Sequence, residues 1–346
     1  MRMRMTKQQH LLIAVAWVLA AAPAVIEAQE KLRIVTTTTD LASIARAIGG
    51  EKVEVVSLAT GREDPHFIAA KPSYMMAARK ADLWIRVGLE LEIGYEELII
   101  DGSRNSKIRI STPGHLDVSQ GVLRLEVPTQ KIDRSMGDVH PLGNPHYWTD
   151  PLNGRIMAKN IAKRLQKLAP EHTNYFQQKL KAFYRELDER MFGPDLVAKL
   201  GGGKLWALLL KNRLDKVLSE PGQPLLGGWL AIMQPHAGKE IITYHRSWTY
   251  FAHRFGLVVA GELEPKPGIP PSPGHVAAVI NTVQARQIKV LLMEPFYSRK
   301  APDLIASQTG ITIVQCANVV NGQPEAVDYL AMLGNVITSV SAVLGP

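Results

Sequence analysis

Cysteine is almost absent from this sequence, because its 346 residues include only one, Cys316. A single cysteine excludes an intramolecular disulfide, so a packed apolar core must supply the stability even in an oxidising compartment. Hydrophobic residues make up 46% of the chain, which is enough for two packed domains at this length. Internal repeats and low-complexity tracts are also lacking. The composition therefore favours a globular protein with two domains.

Long hydrophobic runs are scarce as well. The longest one, at 11–25, has about 15 residues, fewer than the roughly 20 that a helix needs to cross a bilayer. It follows three basic residues and precedes small residues around Ala28, which is the layout of a cleavable secretory signal peptide. The basic residues are Arg2, Arg4 and Lys7. We therefore expect residues 1–28 to be removed and the mature chain to be a soluble periplasmic protein.

The end of the predicted signal peptide leaves one alternative open. Ile26 is bulky for the position three residues before a cut after Ala28, so a retained N-terminal membrane anchor is the competing interpretation. No cysteine stands near that cut to carry a lipid. We therefore expect a chain without a lipid anchor.

Acidic residues are outnumbered by basic ones. The chain has 40 Lys and Arg residues against 32 Asp and Glu residues, which gives a formal net charge of +8. The positive charge is spread along the chain, and its densest run, at 159–167, has the spacing of the solvated face of a helix. The charge pattern therefore gives no support to a nucleic-acid partner.

Strands and helices alternate from residue 32 onward. β-Branched runs predict strands, and apolar residues at helical spacing, entered through Pro72 or stopped by Gly49-Gly50, predict the helices between them. The first elements are predicted at 32–35, 41–48, 53–58, 71–81 and 83–87. We assign this N-terminal α/β lobe to residues 29–169.

The same alternation returns in the last third of the chain, at 239–346. Strands are predicted at 241–244, 257–260, 290–293 and 311–314, and helices over 247–255, 274–285, 301–308 and 325–344. Strands that alternate with helices at this spacing form mainly parallel sheets with helices on both faces. We therefore predict an α/β protein with two lobes, each a mainly parallel sheet flanked by helices.

One long helix is predicted between the two lobes. Apolar residues recur every three or four positions over 170–199, with charged residues elsewhere. Such a helix would reach roughly 40 Å and could serve as a rigid spine that joins the lobes. Glycine and proline are frequent in the residues that follow, so we interpret 200–238 as an inserted surface segment.

Three of the ten histidines, His66, His146 and His245, follow predicted strands or lie in the loops that leave them. Ligands of open α/β sheets bind beyond the carboxyl ends of the strands, so these side chains are placed to meet in one cleft. Neutral imidazole is the commonest protein ligand of metal ions, and three of them in a cleft suit zinc. Taken singly, each histidine is explained more simply by a structural or surface role than by a ligand role.

The residues around these histidines carry more information than their spacing. The blocks are Ile34-Val35-Thr36-Thr37, Asp64-Pro65-His66, Lys71-Pro72-Ser73, Asn144-Pro145-His146-Tyr147-Trp148, Tyr244-His245, Phe255-Gly256-Leu257 and Glu294-Pro295-Phe296. In combination they resemble the periplasmic zinc and manganese solute-binding proteins of ABC importers, the cluster A-I or TroA-like family. The resemblance covers essentially the whole mature chain. It implies that His66, His146 and His245 match the first three metal ligands of the family.

The chain departs from this family in two places. Many members supply an aspartate as the fourth ligand after the last strand, where this chain has Cys316-Ala317-Asn318. The fourth position is therefore open between a water molecule, Asn318 and another group. Zinc-binding members often carry a long His-rich loop before the second ligand, whereas this chain has His140 alone. His140 is the remnant of such a loop or, more simply, a turn histidine.

Four further side chains carry weaker signals. Glu264 could hold a loop at the edge of the cleft, and His275 is expected to face outward or to begin a helix. His253 is expected to pack or to face solvent. Cys316 is most simply a small buried apolar residue, with a thiolate ligand as the alternative.

The resemblance implies a protein without catalytic activity that captures a metal ion between its lobes, acts as a monomer and delivers the ion to the permease of an ABC importer. Imidazole ligands favour zinc over manganese, which prefers oxygen-rich sites. An adhesin is a weaker possibility. A zinc-dependent hydrolase with three histidines and a water molecule is the main alternative. Against it, the chain has no H-E-x-x-H motif, and only Glu63 and Asp64 stand beside a candidate ligand.

Overall fold

The computed structural model describes residues 30–129, 140–264 and 268–345. The predicted signal peptide at 1–28 therefore lies outside the described residues. Residues 32–346 form one compact unit with two parallel sheets, which confirms the predicted α/β class with two lobes. Each helix in the described part of the chain is too short or too polar to cross a membrane.

The N-terminal lobe is built on a parallel sheet with the strand order β2-β1-β3-β4. The strands are β1 (Leu32–Thr36), β2 (Val53–Ser57), β3 (Leu83–Arg86) and β4 (His115–Asp117), and the helices are α1 (Thr39–Gly49), α2 (Pro72–Lys80) and α3 (Glu96–Ser103). Ile34 and Val35 are neighbours on β1 but belong to different apolar clusters, since successive side chains point to opposite faces of a sheet. Both faces of this sheet are therefore covered, as a parallel sheet requires.

The first helix begins and ends where the sequence provides the signals. The Thr38 hydroxyl caps α1 by accepting a hydrogen bond from the backbone N–H of Leu41. Ile44 and Ile48 are buried on the face that packs into the core. Gly50 then ends the helix with a φ of 52°, a conformation that glycine adopts at little cost. The loop between β1 and α1 is thereby fixed at the carboxyl edge of the sheet.

A long helix between the lobes confirms the predicted spine, although it is shorter than 170–199. Helix α4 (Pro151–Leu168) leads into α5 (Thr173–Phe192), whose 20 residues span about 30 Å. Gly193, with a φ of 87°, ends α5, and a separate helix α6 (Pro194–Leu200) follows. The predicted single helix was wrong at this point, because a glycine followed by a proline interrupts the helical hydrogen bonds.

The segment 200–238 differs from the expected surface insertion, because it is largely helical and adds side chains to the core. Its helices are α7 (Gly202–Leu210), α8 (Leu214–Leu218) and α9 (Gly228–Met233). Trp206 and Trp229 are buried, and the indole N–H of Trp206 donates a hydrogen bond to Asp188 on α5 at 2.7 Å. Burial of these large side chains against the spine stabilises helices that the surrounding glycines and prolines would not favour.

The C-terminal lobe repeats the architecture with the strand order β6-β5-β7-β8. The strands are β5 (Glu240–Thr243), β6 (Val258–Glu262), β7 (Val290–Met293) and β8 (Thr312–Gln315), and the helices are α10 (Thr249–Phe255), α11 (Pro273–Arg286), α12 (Lys300–Thr309) and α13 (Tyr329–Leu344). Helix α13 begins later than predicted because the Asp328 carboxylate caps it through the N–H of Ala331 at 2.7 Å.

Hydrogen bonds join the two lobes behind the cleft. The indole N–H of Trp148 donates to the carbonyl oxygen of Asn318 at 2.6 Å, and the Tyr329 hydroxyl donates to the carbonyl oxygen of Trp148 at 2.6 Å. The side chains of Trp148 and Tyr329 are buried in the same apolar cluster. These contacts set the carboxyl ends of the two sheets against a common cleft.

Candidate metal centre

The structure brings the three predicted histidines into one cluster between the lobes. One ring nitrogen each of His66, His146 and His245 lies within 4.8 Å of the other two. His66 lies in the loop after β2, His146 follows β4, and His245 comes just after β5. His146 and His245 are buried and His66 is half-buried. Both lobes therefore contribute imidazoles to one site.

Each of these imidazoles is oriented by a hydrogen bond from its Nδ1 atom. Nδ1 of His66 lies 2.7 Å from the Asp64 carboxylate, Nδ1 of His146 lies 2.9 Å from the Asn144 side-chain oxygen, and Nδ1 of His245 lies 2.7 Å from the Glu264 carboxylate. In each contact a ring Nδ1 atom faces a side-chain oxygen. Because the oxygens can only accept, we assign the ring protons to Nδ1. The Nε2 atom of each ring then carries a free lone pair, and an imidazole in this tautomer can bind a metal ion through that atom.

Local backbone structure holds two of the orienting groups in place. The Asp64 carboxylate also accepts from the backbone N–H of His66 at 3.0 Å, and the Asn144 side-chain oxygen accepts from the N–H of His146 at 2.9 Å. Each residue stands two positions before its histidine, with a proline between them that fixes the backbone. The motif x-Pro-His therefore orients the ring as well as placing it.

The spacing of the cluster fits a tetrahedral metal ion. Zinc–nitrogen bonds of 2.0–2.1 Å at tetrahedral angles place two ligand nitrogens about 3.4 Å apart. The nitrogen atoms here are separated by at most 4.8 Å, so movements of about 1 Å by the side chains would close them on one ion. Three such ligands leave one position for a fourth group.

The electrostatics of the cluster suit metal binding. Burial lowers the pKa of His146 well below its usual range, and the neighbouring His66 and His245 lower it further. His146 is therefore neutral at neutral pH and has a lone pair to offer. Burial alone would raise the pKa of Asp64, but the hydrogen bond and the charge of His66 together bring it down to about 2. Asp64 thus supplies a negative charge beside the site.

His140 lies at this site, although its sequence context favoured a turn histidine. Its Nε2 atom is 3.2 Å from Nε2 of His66, and the two rings stack with centroids 5.2 Å apart. Burial, followed by the proximity of His66 and His245, lowers the pKa of His140 to about 3. The sequence signal for this placement was the position of His140 before the second ligand segment, where the resemblance offered the remnant of a His-rich loop as the alternative to a turn histidine.

Two buried groups with oxygen atoms follow the last strands of the second sheet. Glu294 comes directly after β7 and is fully buried, and its carboxylate oxygens lack a hydrogen-bond partner among the described residues. Asn318 follows β8, and its side-chain oxygen also lacks a partner in the described part of the chain. Burial raises the pKa of Glu294 to about 8. Glu294 is therefore largely protonated at neutral pH.

The remaining candidates lie where the sequence suggested or near it. Glu264 is buried and orients His245, a more direct role than holding a loop. His275 is close to the N-terminus of α11 and contacts the carbonyl oxygen of Glu262 at 2.8 Å, whereas His253 is exposed on α10. Burial raises the pKa of the Cys316 thiol to about 11, which keeps it protonated and favours the apolar interpretation.

A tyrosine of the C-terminal lobe reaches across the cleft to the first histidine segment. The Tyr297 hydroxyl donates to the second carboxylate oxygen of Asp64 at 3.1 Å. Its ring stacks on that of Tyr244, with centroids 4.3 Å apart and planes inclined by 10°. Asp64 therefore accepts hydrogen bonds from His66 of its own lobe and from Tyr297 of the other. Nothing in the sequence pattern indicated this contact between distant residues.

The metal-free protein should show a pH dependence that comes from Glu294. The folded pKa of about 8 lies above its usual value of 4.5, so the stability due to its protonation is fully present below pH 4.5 and is lost as the pH rises through 8. Replacement of Glu294 by glutamine should therefore reduce the decline in unfolding free energy between pH 6.5 and 8, by up to about 1.4 kcal/mol per pH unit. Urea unfolding with chelator present measures this slope.

The exposed Glu97 on α3 provides the control for this experiment. A Glu97→Gln variant should keep the wild-type slope, because an exposed carboxyl is solvated in both states. The window above pH 6.5 avoids the protonation of His146 and His140, which lowers stability only as the pH falls below 6.5. Equal slopes for wild type and Glu294→Gln would contradict the burial argument.

Two α/β lobes with a cluster of oriented imidazoles in the cleft define a class of proteins that enclose a small ligand between two sheets. The family model described as zinc-uptake complex component A, periplasmic (ZnuA), matches residues 34–191 and 229–343. The chain belongs to this family of metal ABC transporter solute-binding proteins. The unmatched residues 192–228 hold α6, α7 and α8.

Relatives of this chain are named for different metals. The chain is 24% identical to the manganese ABC transporter substrate-binding lipoprotein PsaA of Streptococcus mitis over 286 residues. This match covers 82% of this chain and 79% of that protein. It is 23% identical over 286 residues to the iron ABC transporter substrate-binding lipoprotein MtsA of Streptococcus pyogenes serotype M1, with 82% and 78% covered. A crystal structure of ZnuA has the same fold, with a TM-score of 0.68, 22% identity and coverage of 91% of this chain and all of that one.

Proposed function

We propose that this protein is the zinc-binding component of an ABC importer, which captures the ion with His66, His146 and His245 in the cleft and delivers it to the permease. The observation that carries the proposal is the orientation of all three imidazoles by Asp64, Asn144 and Glu264. An arrangement that fixes the Nδ1 proton of every ring leaves three Nε2 lone pairs for one ion.

The choice of zinc rests on the ligand chemistry of this chain. Imidazole nitrogen suits zinc, whereas manganese prefers carboxylate and carbonyl oxygen. The carboxylates of Asp64 and Glu264 are engaged by histidine Nδ1 atoms, and Glu294 is largely protonated at neutral pH. Nitrogen therefore dominates the donor set, although relatives are named for manganese and iron.

The hydrolase alternative lacks a group that could act as a general base. The Glu63 carboxylate accepts hydrogen bonds from the backbone N–H and the hydroxyl of Thr60. Asp64 is held by His66 and Tyr297, and its pKa of about 2 makes it a weak base. Binding without chemistry is therefore the better-supported function.

Partner and location follow from the same function. Solute-binding proteins of this family work with the permease of an ABC transporter, and we extend this to the importer of the present protein. We place it in the periplasm as a monomer, because residues 1–28 have the layout of a cleavable signal peptide. One chain supplies all three histidines, so no second copy is needed to complete the site.

Metal analysis tests this proposal directly. Protein purified without chelator should contain one zinc ion per chain, because one cluster of three histidines occurs among the described residues. In competition titrations, zinc should displace bound manganese when both are equally abundant. Manganese that resists displacement by zinc, or a chain that takes up no zinc, would contradict the assignment.

A further inference from the structure

His140 belongs to the same small volume as the three proposed ligands. Its Nε2 atom lies 3.2 Å from Nε2 of His66. The ring of His66 in turn lies 5.0 Å from that of His146 and 5.8 Å from that of His245, measured between centroids. His140 therefore lies against the cluster of three histidines on the side of His66.

The contact between His140 and His66 is one that a metal ion would complete. Nδ1 of His66 donates to Asp64, so its Nε2 carries a lone pair directed toward His140. Two nitrogen atoms that share a tetrahedral zinc ion are about 3.4 Å apart. The observed 3.2 Å is within a few tenths of an ångström of that distance. A metal ion could thus replace the single proton that such a pair otherwise shares.

The turn that carries His140 is tied to the second ligand segment. The His140 carbonyl oxygen accepts from the N–H of Gly143 at 3.1 Å, and the N–H of Asn144 donates to the carbonyl oxygen of Leu125 at 2.9 Å. Gly143 has a φ of 107°, and a Cβ atom there would lie 3.0 Å from that Leu125 oxygen. Only glycine fits such a turn, which therefore fixes His140 relative to the residue that orients His146.

We infer that His140 supplies a fourth imidazole nitrogen to the ion held by His66, His146 and His245, an inference that rests on the function proposed above. The buried side-chain oxygens of Asn318 and Glu294 are the competing fourth ligands. They would make the site richer in oxygen, whereas His140 makes it a site of four nitrogens. Since nitrogen favours zinc and oxygen favours manganese, His140 strengthens the preference for zinc that the other three histidines establish.

X-ray absorption at the zinc edge can count the imidazoles directly. The zinc-loaded wild-type protein should have four, and the His140→Ala variant should have three with an oxygen in the remaining position. Zinc affinity should fall at least about tenfold in that variant, because one metal–nitrogen bond is lost. Manganese affinity should change less than zinc affinity. The ratio of zinc affinity to manganese affinity should therefore be smaller in His140→Ala than in the wild type.

Two further variants make the result specific. His140→Gln keeps a polar side chain in the turn and should lose the imidazole as His140→Ala does, which separates coordination from a failure to fold. His253→Ala removes an exposed histidine on α10 and should keep four imidazoles and the wild-type affinity. Wild-type imidazole counts and zinc affinity in both His140 variants would overturn the inference.

The same titrations distinguish this inference from the function on which it rests. If His146→Ala loses zinc while both His140 variants bind as the wild type does, only the role of His140 is overturned. If His146→Ala also binds zinc with wild-type affinity, the proposed function itself falls. A wild-type spectrum with three imidazoles and one oxygen would assign the fourth position to Asn318, Glu294 or water, and would likewise overturn the inference.

Discussion

Replacement of His66, His146 or His245 by alanine should weaken zinc binding at least about tenfold in each case. Loss of a side chain that merely orients a metal ligand typically reduces affinity 10–100-fold, and loss of the ligand itself should cost at least as much. His146→Ala should have the clearest effect, because His146 is buried and its lowered pKa keeps it neutral. Competition against a chromophoric chelator at pH 7.5 measures each affinity.

The exposed His253 supplies the matched control for these three variants. His253→Ala removes the same type of side chain from the same lobe as His245 and should leave the affinity unchanged. Circular dichroism of the metal-free variants checks that the fold is kept. Wild-type affinity in all three ligand variants would eliminate the cluster as the metal site.

Zinc should raise the melting temperature of the protein in proportion to the logarithm of the free zinc concentration. The ion binds ligands from both lobes of the folded chain and finds no such arrangement in the unfolded chain, so binding adds to the free energy of unfolding. At free zinc one hundred times the dissociation constant, the gain is about 2.7 kcal/mol, and at one thousand times it is about 4.1 kcal/mol. Thermal unfolding in zinc buffers of graded concentration measures the shift.

The His146→Ala variant shows whether that stabilisation comes from the cleft. At each zinc concentration its melting temperature should rise less than that of the wild type, because a tenfold higher dissociation constant lowers the gain in unfolding free energy by about 1.4 kcal/mol. A melting temperature of the wild-type protein that responds to neither zinc nor chelator would rule out a metal site that joins the lobes. An equal shift in His146→Ala would place the stabilising ion elsewhere.

The sheets and the three histidines could be predicted from the sequence because both depend on local patterns. The helix expected at 71–81 is α2, Pro72–Lys80, and the strand expected at 83–87 is β3, Leu83–Arg86. In parallel sheets the carboxyl ends of the strands meet at one edge, so the positions of His66 and His146 after strands put them near one cleft, and the motifs around them marked them as candidate ligands. Periodicity and strand order thus carry the information on the fold.

What the sequence could not supply depends on contacts between distant residues. The position of His140 is set by a turn that Gly143 and the carbonyl oxygen of Leu125 define together. The helices of 200–238 are stabilised by burial of Trp206 against the spine helix, whereas their glycines and prolines indicated a loop. Tertiary packing decided both cases against local propensity.

The hydrogen bond from Tyr297 to Asp64 couples the orientation of a metal ligand to the relative position of the two lobes. The carboxylate that orients His66 is held on its other oxygen by the opposite lobe. A movement that separates the lobes removes one donor from Asp64 as it draws His245 away from His66. By thermodynamic linkage, the free energy by which the ion favours the closed cleft equals the free energy by which closure favours the ion. Any interaction that favours separated lobes would therefore weaken the binding of the ion without touching a metal ligand.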